Sequence, residues 1–156
     1  MIIPEHLIEQ CDTLFLDRDG VVNVWRPGDY VKTWDEFRFN DGFLDFIRLY
    51  NDSFRHIFIV TNQRGVGRGI MTEQQLEEIH LRMLDRISRA GGRIDRIYCC
   101  TSADDSNPMR KPNPGMALQA MMDYPDIVME KSVMIGDQPS DRLFAFNTGM
   151  NFLLWA

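Results

Sequence analysis

The chain of 156 residues has no apolar stretch near the roughly 20 residues that a membrane helix needs. Its first ten residues, Met1 to Gln10, hold neither a basic segment nor an apolar run of the signal-peptide kind, so no targeting segment is expected there. Cysteine is scarce. Cys11, Cys99 and Cys100 are odd in number, two of them adjacent, and make a poor disulfide framework, so a reducing cytoplasm is the expected setting. Clustered Lys and Arg are missing as well, and the formal net charge is -6, which argues against a nucleic-acid backbone as the partner. There is no internal repeat, no low-complexity linker and no P-loop GK[ST] sequence. Gly65, Gly67 and Gly69 miss the dinucleotide fingerprint, because Ile70 stands where its third glycine belongs, and they read as a flexible loop.

What remains is ordinary for one globular domain spanning 1–156: 44% hydrophobic and 26% charged residues. Short apolar runs at Thr13–Leu16, His56–Val60, Ile94–Cys99, Ser132–Ile135 and Asn151–Leu154 read as buried strands. Helical spacing of apolar residues lies between them. Phe43 to Tyr50 is one such stretch. Another is opened by Thr72 with Gln75 as a capping box and stopped by Gly91–Gly92. A third runs from Asn113–Pro114 to Met122, and a fourth from Ser140 to Gly149, whereas Val21 to about Asn40 is an aromatic-rich loop. Alternating strands and helices predict a three-layer, Rossmann-like α/β sandwich with a central parallel sheet. Ligands of such sheets bind beyond the carboxyl ends of the strands, and Asp17, Thr61 and Asp137 all fall there.

Asp17 and Asp19, two apart at a strand end, can divide the work of phosphoryl transfer: one attacks phosphorus, the other serves as acid and base. Alone, D-x-D equally suits a solvated turn. Gly20 permits the bend that aims both side chains at one point. Asp137 can join Asp17 around a hard cation, while Asp141 suits the first turn of a helix, as a cap or as a support for the ligands. Two unit charges about 4 Å apart interact by about 4 kcal/mol at an effective dielectric near 20, so carboxylates facing a phosphate need cations. Magnesium suits oxygen ligands and phosphate, and Lys111 can add a compact charge, its segment stiffened by Pro112 and Pro114. The Thr61 hydroxyl and adjacent N–H groups can hold phosphate oxygens, with Asn62 free to bond a substrate. His56 and His80 read as structural.

Together, DRDGV at Asp17–Val21, the apolar run ending at Thr61, Lys111 before Pro112 and GDQPSD at Gly136–Asp141 resemble the haloacid dehalogenase superfamily of phosphatases. The resemblance implies Asp17 as nucleophile, Asp19 as acid/base, and Thr61 and Lys111 on the phosphate. It also implies magnesium held by Asp17, Asp137 and the backbone carbonyl of Asp19. DRDGVVN, Tyr30–Val31, TNQRGVGRG and RKPNPGM resemble more closely the minimal-cap branch that holds heptose bisphosphate and histidinol-phosphate phosphatases. By that likeness Asn62 and Arg110 touch substrate, and the cap is minimal or missing. Members of that branch often carry a C-x-H…C-x-C zinc loop before the RKP segment. Here Cys99 to Met109 is shorter and has no histidine, so no zinc is expected.

The leading expectation is a phosphatase of a small phosphorylated metabolite, heptose bisphosphate first and histidinol phosphate second, working as a monomer. A non-catalytic phosphate-binding module on the same fold and a nucleic-acid end phosphatase are the rivals.

Overall fold

A computed structural model describes all of residues 1–156. Five strands form one fully parallel sheet: β1 (Thr13–Leu16), β2 (His56–Asn62), β3 (Arg96–Cys100), β4 (Ser132–Gly136) and β5 (Asn151–Leu154). Their order is β3-β2-β1-β4-β5, so the chain builds outward from β1 on one side and then crosses to the other. In register, Leu16 lies beside Ile59 of β2 and Ile135 of β4.

The helices are α1 (Glu5–Gln10), α2 (Phe43–Tyr50), α3 (Arg64–Gly67), α4 (Glu73–Arg89), α5 (Gly115–Asp123) and α6 (Pro139–Thr148). Side chains alternate across a strand, and the core divides accordingly. Leu14, Leu16, Ile57, Ile59, Val133 and Ile135 face α2 and α4 through Phe43, Ile47, Ile79 and Met83. Phe15, Phe58, Val60 and Met134 face α5 and α6 through Met116, Ala120 and Phe144. The three-layer sandwich expected from the sequence is thus present, with helices over both faces of the sheet. No helix is long and apolar enough to cross a membrane.

Several boundaries differ from the sequence reading. The β3 strand begins at Arg96, not Ile94, because pairing with β2 starts where Phe58 meets Arg96. Asn113 does not cap α5; its side chain donates to the carbonyls of Asp105 and Asn107 instead, and Pro114 takes the cap position. Pro139 rather than Ser140 opens α6, as a proline at the first helical position.

The larger correction concerns the glycine segment read as flexible. Residues 64–67 form the single turn α3, and its glycines serve close approach. A Cβ on Gly67 would lie 2.4 Å from the carbonyl oxygen of Thr101, to which the Gly67 N–H donates at 2.9 Å. The Tyr30 ring lies against Gly65 in the same way. The segment 21–40 is an arm folded back on itself, Val24 N–H donating to the Arg38 carbonyl and Asn40 N–H to that of Val22. Trp34, Phe37 and Phe39 cluster within it, with Trp34 stacked on Phe37 at 5.0 Å.

Cys99 and Cys100 are neighbours on β3 and so face opposite sides of the sheet, one against each core. Burial pushes the Cys99 thiol up to about 12.

Candidate active site

Neighbouring strands β1 and β4 lie where the strand order reverses, so Asp17 and Asp137 leave the sheet side by side. Carboxylate oxygens of Asp17, Asp137 and Asp141 lie within 4.8 Å of one another. Lys111 reaches the same point from the loop before α5. Its Nζ donates to Asp17 Oδ1 at 2.9 Å and to Asp141 Oδ1 at 2.7 Å. Gly20 makes the crowding possible: its φ is +96°, and a Cβ there would lie 2.0 Å from Asp137 Oδ2. Asp141 also acts as expected of a first-turn acid, its Oδ2 accepting from the N–H groups of Asp137 and Gln138 at 3.2 and 3.1 Å.

Electrostatically the cluster is unbalanced, with three carboxylates against one ammonium. Burial alone would lower the Lys111 pKa, but Asp17 and Asp141 outweigh it and raise the value above the ordinary lysine range, so Lys111 stays charged. Burial pushes Asp17 well above the usual carboxylate range, with Lys111 pulling it back and Asp141 pushing further. Asp137 is raised too, chiefly by burial. Its Oδ1 is buried and has no hydrogen-bond partner. An unpartnered carboxylate oxygen among like charges is what a hard divalent cation would satisfy, so the donor set fits magnesium.

Asp19 is held differently. Its Oδ1 accepts from Arg18 Nη2 at 2.9 Å and Asn23 Nδ2 at 2.8 Å, and its Oδ2 from Gln63 Nε2 at 2.7 Å. Burial opposes ionisation, but the Arg18 charge and these bonds win, and the pKa falls below the usual range. Arg18 itself is fully buried, and its Nη1 lies 3.1 Å from His80 Nε2. The sequence reading passed over Arg18, Asn23 and Gln63. A charged residue between two carboxylates at the end of an apolar strand was the one available signal.

A cleft of about 490 Å³ opens above the cluster. Asp17, Asp19, Asn62, Arg110 and Lys111 line it, as do Trp25, Arg26 and Tyr30 of the arm and Arg64 and Arg68 from the segment after β2. Asn62 braces Lys111: its Nδ2 donates to the Lys111 carbonyl and its Oδ1 accepts from the Lys111 N–H, both at 3.0 Å. One amide hydrogen and one lone pair remain for a ligand. Thr61 does not line the cleft; its buried hydroxyl accepts from Gln63 Nε2 at 2.9 Å. Arg110 is 9% exposed and donates through Nε to Asp105 Oδ1 at 3.0 Å.

With this geometry, the likenesses to known proteins converge. Residues 13–154 match the family described as polynucleotide kinase 3 phosphatase. The chain is 37% identical over 135 residues to a D-glycero-β-D-manno-heptose-1,7-bisphosphate 7-phosphatase of Rhodopseudomonas palustris, covering 81% of this chain and 73% of that protein. It is 35% identical over 141 residues to the D-glycero-α-D-manno-heptose-1,7-bisphosphate 7-phosphatase of Campylobacter jejuni, covering 90% and 80% of the two. Among solved structures, D,D-heptose 1,7-bisphosphate phosphatase from B. bronchiseptica, complexed with magnesium and phosphate, superimposes with a TM-score of 0.85. That match has 32% identity and covers 92% of this chain and 79% of the other.

Proposed function

This chain belongs to the haloacid dehalogenase superfamily of phosphatases, and from that membership we propose that it hydrolyses a heptose bisphosphate through an aspartyl-phosphate, with magnesium as cofactor. The observation that carries the reading is the buried Asp17–Lys111–Asp141 chain with the unpartnered Asp137 oxygen beside it.

Asp17 is the nucleophile. One carboxylate oxygen attacks phosphorus, and the bond from phosphorus to the sugar oxygen breaks. Asp19 gives that leaving oxygen its proton. In the second half, water attacks the phosphorylated Asp17, Asp19 takes its proton, and inorganic phosphate leaves. As held here, Asp19 is a carboxylate suited to the base step, and its acid step requires it to gain a proton and loosen from Arg18. Lys111 sits against the nucleophile and can hold a phosphate oxygen at the same time. Thr61 supports the phosphate pocket through Gln63, and Asn62 and Arg110 present their free donors to the substrate. Asp17, Asp137 and the Asp19 carbonyl are the proposed magnesium ligands. The ion, when bound, neutralises the phosphate oxygens and the carboxylates around them. Zinc has no part in this reading, which the opposed directions of Cys99 and Cys100 support.

Residues 1–156 are proposed to act as one domain, monomeric and cytoplasmic. The net charge of -6 favours a small phosphorylated metabolite over a polynucleotide end. Histidinol phosphate is the runner-up substrate.

The test is phosphate release from heptose 1,7-bisphosphate, histidinol phosphate, a 3′-phosphorylated oligonucleotide and an aryl phosphate, with magnesium and with chelator. Magnesium-dependent release, fastest from the heptose and lost in Asp17→Asn, is expected. Asp19→Asn should slow it by about 10²–10⁴-fold. Folded protein releasing no phosphate from any of them would leave only a binding module.

A further inference from the structure

Three side chains hold the Asp19 carboxylate, and each is anchored a second time. The Asn23 amide donates to Asp19 Oδ1 at 2.8 Å and to the Val24 carbonyl at 3.2 Å. The Gln63 amide donates to Asp19 Oδ2 at 2.7 Å and to the Thr61 hydroxyl at 2.9 Å. Arg18 donates through Nη2 to Asp19 Oδ1 at 2.9 Å, and its second anchor is His80, whose Nε2 lies 3.1 Å from Nη1. An ionised carboxylate offers about four lone-pair sites. Two on Oδ1 and one on Oδ2 are taken, so the site left for a proton lies on Oδ2. Asp19 lines the cleft, and this grip decides which oxygen it presents there and in what direction.

The three anchors are not equally local. Val24 and Thr61 lie one and two residues from the side chains they anchor, whereas His80 reaches Arg18 from α4, across 62 residues of chain. Arg18 is fully buried, and its Nε already lacks a partner. The Phe37 ring, 5.9 Å from the guanidinium carbon, offers a π face and no lone pair. His80 is therefore the one side-chain acceptor besides Asp19 for a buried guanidinium. A buried charged donor that loses its acceptor bears the full cost of its desolvation and is driven toward another, and Asp19 would be drawn with it. His80 itself is half-buried and does not line the catalytic cleft. It lines a separate groove of about 250 Å³ with Leu76, Leu81, Leu84 and Cys99. An apolar side chain would pack against those neighbours equally well, and the contact with Arg18 is the one hydrogen bond that the imidazole makes.

We propose that His80 is a positioning residue for phosphate release: as the acceptor that anchors the far end of Arg18, it fixes the near end of Arg18 on Asp19 and so aims the Asp19 carboxylate at the leaving oxygen and at the attacking water. This rests on the reading of the chain as a phosphatase with Asp19 as its acid and base. His80 touches neither substrate nor the reacting atoms and acts only through Arg18.

The test is steady-state release of phosphate from heptose 1,7-bisphosphate by His80→Leu and His80→Gln proteins, with melting curves to show that each is folded at the assay temperature. His80→Leu keeps bulk and removes the acceptor. Its kcat should fall by about tenfold, the scale of one hydrogen bond to a charged group, with KM unchanged because His80 lies outside the cleft. His80→Gln supplies an amide oxygen in place of the imidazole nitrogen and should restore most of the rate. If His80→Leu does not fold, His80→Met removes the strong acceptor with a more adaptable side chain and should show the same loss. The deciding arm adds His80→Leu to Asp19→Asn. A residue that acts through the Asp19 carboxylate should cost nothing further there, within about twofold, whereas a general support of the site should cost the same tenfold again. A full additional loss in that background would overturn the inference, and so would a folded His80→Leu protein with wild-type kcat. A loss confined to KM would overturn it as well, by placing His80 in substrate binding. A His80→Gln protein as slow as His80→Leu would show that the acceptor is not what matters. Each of these results leaves the phosphatase reading standing. A folded wild type that releases no phosphate would sink that reading and this inference with it.

Discussion

His80 shows how one half-buried residue couples stability to pH without taking part in chemistry. Arg18 can only donate, so His80 Nε2, 3.1 Å from Arg18 Nη1, accepts, and the ring is neutral with its proton on Nδ1. Burial and then the Arg18 charge push the His80 pKa down to about 3. The unfolded chain takes up this proton near pH 6.5, which the folded chain refuses until about 3. Stability from this site is therefore complete above the unfolded value and is lost as pH falls towards about 3. The slope is up to about 1 kcal/mol per pH unit once the partial exposure of the ring is allowed for. His80→Gln keeps an acceptor for Arg18 and removes the titration. Melting curves from pH 6.5 to 5 should show the wild type losing ground to the variant as pH falls, and parallel curves would remove His80 from the account.

Among the elements, α4 is the one whose start is set most locally. Thr72 Oγ1 accepts from the Gln75 N–H at 3.1 Å, and Gln75 Oε1 accepts from the Thr72 N–H at 2.8 Å. Thr72→Ala should cost about 1 kcal/mol and lower Tm by roughly 2–4 °C, with kcat/KM unchanged, because α4 brings only its His80 face near the site. This box was legible because its residues lie three apart and owe nothing to the rest of the chain. The strands were legible for the same reason, as short apolar runs closed by polar residues. Elements whose cause is tertiary were not. The helix α1 has six residues and buries only Leu7, too little for a periodic signal. Three glycines in five residues argue against any helix at 65–69, yet α3 forms because Gly67 must touch Thr101 and Gly65 must touch Tyr30. The candidate site divides along the same line. Asp17, Thr61 and Asp137 could be placed from strand ends alone, whereas the grip of Arg18 and Gln63 on Asp19 depends on contacts up to 44 residues apart.

For the whole molecule, the decisive quantity is the uncompensated negative charge where β1 and β4 meet. The fold brings Asp17, Asp137 and Asp141 within 4.8 Å of one another and supplies only Lys111 against them. The molecule can relieve this by protonation, the direction in which burial pushes both Asp17 and Asp137, or by binding a divalent cation. The two routes respond oppositely to magnesium. If a cation is the solution, magnesium at about 100 times its Kd adds about 2.7 kcal/mol and should raise Tm by roughly 5–10 °C at neutral pH. Asp137→Asn should then abolish most of that rise. The variant should also melt higher than the wild type in chelator, by on the order of 1 kcal/mol, since it removes one of three crowded carboxylates. A wild type indifferent to magnesium would mean that protonation carries the balance, and Asp17 would then be neutral and unable to attack phosphorus. A rise that survives in Asp137→Asn would place the ion on other oxygens. The melting experiment thus examines the proposed nucleophile through the stability of the entire sheet, independently of any substrate.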